Sequence, residues 1–373
     1  MTRESPVSPG AITQHTEVAM VSIGVDAHKR VHVAVALDEA GRELGYWKGP
    51  NSPDGWRQIY EWSKSLGAIR IWGVEGAWSY GRGLAQHLVA AGESVHEVNS
   101  RWTALGRRSA RRRGKNDRLD AGSMAALVRQ EATTLPRVGA EDETALLDVL
   151  IKEREAALAE VTRLRNKVHA LLMQIDPEYA LSLRNRRGKT RFKALEGHQA
   201  PAGSNALQLE RAASVRRLAQ RACLAFKLGE ELAARIRELA KEGFSPLTQL
   251  VGIDLLTARQ LAAILGPGRR FEGDAQRAAY AGAAPLEASS AGLVRHRLNR
   301  GGNRQLNELL YRIILTQSRH SEQARAYLER RRHEGKTLRE AFRALKRFIV
   351  RAIWRLWQEC PGAQPKQLAG MAA

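Results

Sequence analysis

Cysteine is nearly missing from this chain: Cys223 and Cys360 are the two in 373 residues, far apart and without a CxxC spacing. A disulfide framework and a structural zinc site are both excluded by that pattern, and a reducing compartment is implied. Long apolar runs are missing too. No stretch approaches the roughly 18 to 20 residues of a membrane span, and the first 18 residues carry neither a basic n-region nor an apolar h-region. The expectation is a cytoplasmic protein with no membrane partner, opening on a short disordered tail. Acidic residues are scarce, 39 Asp and Glu against 60 Lys and Arg, for a formal net charge of +21. Such an imbalance is far from what a small-molecule enzyme needs and points to a polyanionic partner, with a merely soluble basic protein as the plain alternative. What is present is enough apolar material, 43% of the chain, to build a core in each of two domains and a connecting element.

The runs VSIGVD, VHVAVALDE and ELGYWKG read as three consecutive strands in a meander. An amphipathic stretch from Asp54 to Gly67 follows, with Trp56, Ile59, Tyr60, Trp62 and Leu66 near helical spacing. A strand IRIWGVEG, a helix from Tyr80 to Ala91, a strand ESVHEV and a further helical region complete the order βββαβαβα. That order is the one of an α/β RNase H-like (RuvC-like) domain, whose carboxylates gather at the ends of neighbouring central strands. Beyond Glu141, Ala157, Val161, Leu164, Val168, Leu171 and Ile175 recur at steps of four and three, and a second seam runs through Val215, Leu218, Ala222, Ala225, Leu232, Ile236 and Leu239. Two such helices form an antiparallel coiled-coil hairpin. Its tip holds Arg184, Arg186, Arg187, Lys189, Arg191 and Lys193 with no acid between them, which favours nucleic-acid contact over a solvated helix end. The segment SPLTQLVGIDLLTARQLAAILG reads as two short helices about a turn at Gly252, a helix-hairpin-helix-like element in an all-α C-terminal domain; Asp254 stands where such turns commonly carry glycine. The expected domains are a tail (1–18), the RNase H-like domain (19–138), the hairpin (139–244), a C-terminal domain (245–360) and a second tail (361–373).

Four acids stand out. Asp26 closes the first strand, where its side chain is expected to point into solvent at the sheet edge, and Glu75 closes IRIWGVEG. Asp117 and Asp120, three apart, share one face of a helix's first turn. Singly, each has a dull explanation: a turn residue, a surface acid, an N-cap and a helix-dipole partner. Together they come from three segments toward one place. Hard oxygen donors suit Mg²⁺, and two such ions roughly 3.5 to 4 Å apart clamp the attacking and leaving oxygens of a phosphodiester. Arg107, Arg108, Arg111, Arg112, Arg113, Lys115 and Arg118 surround the second pair, so phosphate is drawn to the same neighbourhood.

The motifs GVDAHK, GVEGAWSYG and KNDRLDAGSMA, in that order, resemble the DEDD signature of the Piv and MooV recombinases and their relatives, the insertion-sequence one-ten transposases. The likeness covers nearly the whole chain. It implies that Asp26, Glu75, Asp117 and Asp120 are metal-binding acids. Further on, FEGDAQRAAYAGAAPLEASSAGLVRHRLNRGGNRQLNELLYR resembles the second conserved region of that family, in which a serine just before glycine precedes a basic stretch and a Gly-Asn turn. Here the motif reads SSAG. A gapless alignment makes Ser290 the nucleophile, with Ala291 in place of the glycine and Ser289 as runner-up; read without the family, the same residues are a flexible loop. Arg295, Arg297, Arg300 and Asn303 follow close by, where they are placed to hold the backbone beside a scissile phosphate. A serine attack that forms a phosphoserine bond conserves the phosphodiester's energy, so strands are rejoined without ATP.

The resemblance further implies a guide-like bridge RNA and a homo-oligomer, dimer or tetramer, in which one subunit's serine meets another's carboxylates. The leading expectation is an enzyme that cuts and rejoins DNA. Two alternatives stand beside it: a Holliday-junction-type nuclease using the four acids and water, and a nonenzymatic nucleic-acid-binding protein with a decayed site.

Overall fold

The computed structural model describes residues 20–99, 116–179, 183, 185–239, 242–266, 270–284, 286–287, 296–297 and 302–363. Arg111, Arg112, Arg113, Lys115, Arg184, Ser289, Ser290, Arg295, Arg300 and both ends of the chain lie outside the described residues. Two compact units are present, Met1–Ala140 and Glu141–Ala373.

In the first unit, small and β-branched residues form β1 (Met20–Ala27) and β2 (Val31–Leu37), and β3 (Glu43–Pro50) follows; each pairs antiparallel with the next, the expected meander. The chain then crosses over through α1 (Pro53–Lys64) to β4 (Ile69–Glu75), and through α2 (Arg82–Ala90) to β5 (Ser94–Val98). Both later strands run parallel to β1, giving the order β3-β2-β1-β4-β5. With neighbours on both sides, β1 is central and apolar on one face, where Val21, Ile23 and Val25 pack with Ile59, Trp72, Leu84 and Leu88. On the opposite face lies α3 (Asp117–Glu131), whose Ala121 and Ala125 meet Val33 and Val35 and whose Met124 and Val128 meet Val98.

Glycine sets how closely α3 approaches. Gly24 and Gly73 face each other in register on β1 and β4. A Cβ at Gly24 would lie 2.1 Å from the Ala121 carbonyl oxygen and 2.2 Å from the Ala125 nitrogen, so only a residue without a side chain fits beneath the helix.

The second unit is helical. Its long helices α4 (Glu143–Ile175) and α6 (Ala206–Glu238) are joined by a segment containing α5 (Gly188–Leu195). The long pair runs antiparallel: Glu160 bonds Arg221 at 2.8 Å, while Leu158 lies against Gly229. The seam departs in detail from the one expected. Leu172, not Leu171, is fully buried on α4, and Ala219 takes the place expected of Leu218 on α6. Buried positions on α4 run 157, 161, 164, 168, 172 and 175, which follows a straight helix of 3.6 residues per turn and not a strict heptad. A second core is built from α7 (Leu255–Leu265), α8 (Asp274–Tyr280), α9 (Arg304–His320), α10 (Glu322–His333) and α11 (Leu338–Gln358), together with the start of α4. Phe244 stacks on Trp357 at its centre, ring centroids 5.5 Å apart.

The helix-hairpin-helix expectation needs correcting in its first arm: Ser245–Gln249 is a five-residue 3₁₀ turn, not an α-helix. The Asp254 carboxylate caps α7 by accepting the Thr257 N–H at 2.7 Å. That helix start already carries its own anion, so one of the donors a phosphate would use is taken.

Candidate functional site

Strands β1 and β4 both end in Gly-Val-acid, and the pairings Gly24↔Gly73 and Val25↔Val74 put the two tripeptides side by side. Side chains alternate along a strand. The valines therefore enter the apolar core with Trp72, and Asp26 and Glu75 share the glycine face on which α3 lies. The glycines admit the helix, and Asp26, two residues on from Gly24, faces its first turn.

Asp26 is only 6% exposed. Expected to project into solvent, it is instead covered, because β1 is an interior strand and α3 closes over its end. Nor is Asp117 the N-cap: Asn116 holds that position and accepts the Arg118 N–H at 3.0 Å, leaving Asp117 and Asp120 free of the capping role in the first turn of α3. Asp120 is 5% exposed, whereas the Asp117 side chain is about half exposed. Burial pushes the Asp26 carboxyl above the usual carboxylate range; His28 opposes the rise, and the neighbouring Asp117 and Asp120 charges add to it.

His28 is a member of this cluster that motif reading passed over. Its Nε2 lies 3.2 Å from Asp26 Oδ2 and 3.6 Å from Asp117 Oδ1. The signal was available in the spacing, since a residue two positions past a strand-end aspartate falls on the same side. Asp26, His28 and Asp117 each offer one ligand atom, all within 4.8 Å of one another. This donor set fits a divalent cation. A buried carboxylate held near other carboxylates lacks the counter-charge that a cation supplies; carboxylate oxygens suit Mg²⁺, and an imidazole is equally at home on Mn²⁺ or Zn²⁺. Glu75 is half-buried at the end of the neighbouring strand, on the same face of the sheet.

The remaining predicted residues are scattered. Arg186 and Arg187 are exposed ahead of α5, whereas Lys189 in the same run is tied to Glu230 at 2.8 Å. Asn303 caps α9, accepting the Leu306 N–H at 3.0 Å and donating to the Tyr280 hydroxyl at 2.9 Å. Arg297 belongs to a short strand, His296–Arg297, paired antiparallel with Leu286–Glu287; the serine motif falls between the two in sequence. The basic C-terminal helices are partly occupied within the fold: Arg347 and Arg351 pair with Asp274, and Lys346 is buried, donating to the Asn307 side chain.

Comparison with known proteins bears directly on this arrangement. Residues 23–177, which include all four acids, match a DEDD transposase family model of the IS110 group, described as Transposase. Residues 245–329, which include both serines and Asn303, match the Transposase IS116/IS110/IS902 family. The chain belongs to the IS110 family of transposases. A relative in Streptomyces coelicolor, the insertion element IS110 uncharacterized 43.6 kDa protein, is 26% identical over 406 residues, covering 95% of this chain and 98% of the relative. As an IS110-family transposase the chain acts on DNA in recombination, and DEDD membership implies use of a divalent metal. No helix among the described residues is long and apolar enough to cross a membrane.

Proposed function

We propose that this IS110-family transposase cuts and rejoins the DNA of an insertion element through a carboxylate site at the ends of β1 and β4 and a serine nucleophile in its C-terminal unit. The observation that carries the reading is the convergence of Asp26, His28 and Asp117, with Asp120 beside them, at the end of the central strand of the sheet. The strand order, with a meander followed by two parallel additions, supports an RNase H-like domain over about 19–138, and the antiparallel long helices support a coiled-coil hairpin over about 139–244.

In this reading Asp26, Glu75, Asp117 and Asp120 hold Mg²⁺. Bound there, the ion stabilises negative charge on the oxygens of the phosphodiester. His28 holds Asp26 and Asp117 in one geometry. The Ser290 hydroxyl oxygen attacks phosphorus, one ester bond to the leaving nucleoside oxygen breaks, and the serine proton passes to a base or solvent. Attack of a new strand end on the phosphoserine reverses the exchange. Arg111, Arg112, Arg113, Lys115, Arg186, Arg187, Arg295, Arg297, Arg300 and Asn303 are assigned to nucleic-acid binding, a bridge RNA to target choice, and a homo-oligomer to synapsis.

The test uses labelled substrate DNA, the RNA transcribed beside the element, and denaturing electrophoresis. Wild-type protein is expected to retain label covalently, Ser290→Ala to lose both adduct and recombination, and Ser289→Ala to keep both. An exchange of the two phenotypes moves the nucleophile by one residue. Full activity of the double variant rejects serine chemistry and leaves a nuclease that uses water.

A further inference from the structure

Near the α5 end of the long helical pair, a cavity of about 180 Å³ opens among α4, α5 and the turn after α4. Its floor is the apolar core of the pair, including Leu172 and Phe192, and its polar side chains among the described residues are Arg165, Asn166 and His169 on α4, Tyr179 in the turn after it and Arg191 on α5. No acid lines it. Neither arginine has an acidic partner among the described residues, and Arg191 Nε is buried without any hydrogen-bond partner. His169 Nδ1 is engaged by the hydroxyl of Tyr179, itself 8% exposed.

Arg165, exposed at the cavity's rim, brings a second guanidinium without an acidic partner, and the buried Arg191 N–H left unpaired costs about 1 to 3 kcal/mol. An anion with several acceptor oxygens relieves both, and planar guanidinium forks match phosphate better than any other side chain does. The volume is about that of six waters, room for one phosphate group and part of its hydration and too little for a base with its sugar. We propose that this cavity receives a single backbone phosphate of a bound nucleic acid, held by Arg165 and Arg191, with Asn166 and His169 as supplementary donors. The inference rests on the nucleic-acid reading of the hairpin tip, but it names different groups from the exposed Arg186 and Arg187 and does not depend on the chemistry of cleavage.

The experiment measures binding by the full-length protein of a labelled duplex DNA and of a single-stranded RNA of equal length, across salt concentrations and in EDTA, so that failure of the metal site cannot affect it. Each lost phosphate contact lowers the log–log salt slope by about 0.9 on duplex and about 0.7 on a single strand. Arg191→Gln and Arg165→Gln, which act on the same phosphate, are each expected to lower the slope on one of the two ligands by up to that amount, and together by about that amount, which identifies the strand that enters the cavity. Arg163→Gln, on an exposed position of the same helix outside the cavity, removes equal charge and is expected to leave the slope unchanged. A melting curve for each variant keeps misfolding separate, and the two arginines lie on different helices, so a collapse of one variant leaves the other informative. Wild-type slopes on both ligands in both folded variants overturn the proposal. So does a melting temperature raised by inorganic phosphate in wild type but not in Arg191→Gln while the slopes stay equal, because the occupant is then a free anion.

Discussion

Each unit buries a charged side chain almost completely, and the surroundings are opposite in kind. Asp26 in the sheet unit is 6% exposed and faces His28, Asp117 and Asp120. Arg277 in α8 of the helical unit is 1% exposed, and its guanidinium meets rings instead: Trp354 at 3.9 Å from the ring centroid, Trp357 at 5.1 Å and Phe271 at 5.5 Å. All three of its nitrogens lack hydrogen-bond partners. Burial and the nearby Arg270 push its pKa down to about 9, so it stays charged at neutral pH. Burying a charge is therefore not what marks a site in this protein. Aromatic faces relieve the lone guanidinium through cation–π attraction, whereas carboxylates gathered in one place are relieved by positive charge, as a bound cation, or by a proton.

The comparison breaks first at Gly24. An alanine there forces α3 off the sheet, and the expected cost is about 3 kcal/mol or more, with the carboxylate cluster dispersed. Gly122→Ala on α3 is the matched control: the nearest atom to its added methyl is Val35 Cγ1 at 3.8 Å, and removing a helical glycine is expected to stabilise by about 0.5 to 1 kcal/mol. Denaturant unfolding of both variants checks the pair, and equal stabilities would show that the glycine does not set the helix position.

His32 supplies a third buried ionisable group. It is fully buried in β2, beside Val33, which pairs with Asp26, and so points away from the carboxylates. Neither ring nitrogen makes a hydrogen bond of good geometry, and burial pushes its pKa from 6.5 down to about 4, with weak contacts to the Asn51 side chain and the Val31 backbone opposing the fall. The unfolded chain takes up a proton below 6.5 and the folded chain not until about 4. Stability is thus present above 6.5 and lost as pH falls through that window, by about 3 kcal/mol at most. His32→Leu is expected to flatten that part of the stability profile measured by denaturant melts, and an unchanged profile would assign the acid sensitivity elsewhere.

The smallest effect is expected at Arg277. Replacing it with methionine keeps the volume and removes a charge that only rings accommodate, so stability is expected to stay level or rise by about 1 kcal/mol. A loss of several kcal/mol on melting would mean that the guanidinium has an anionic partner and belongs with Asp26 as a functional group.

Much of this arrangement was legible in the residues. The β-rich runs VSIGVD and VHVAVALDE gave the strands, and the spacing of Asp117 and Asp120 placed both in one helical turn. Burial of Asp26 was not legible, because it depends on β1 being interior and on α3 closing over it, and the covering helix lies some ninety residues away in sequence. The shared Gly-Val-acid ending of β1 and β4 contained the clue, but its meaning requires the parallel register that pairs Gly24 with Gly73. On α4 the exchange of Leu171 for Leu172 reflects a periodicity of 3.6 that a heptad reading misplaces by one residue. Asp254 and Asn303 were legible as polar turn residues, but their use as helix caps is decided by the local backbone.

The central claim is that the buried carboxylate end of β1 is where the strand is cut. Its most direct test is cleavage of labelled element DNA by full-length Asp26→Asn protein beside wild type, at saturating protein with Mg²⁺ present and with binding followed in parallel. Asparagine keeps the shape and removes the charge. The account predicts that cleavage by the variant falls by at least a hundredfold while DNA affinity, which rests on the many cations, changes less than threefold. Cleavage at the wild-type rate by a folded Asp26→Asn protein would contradict it.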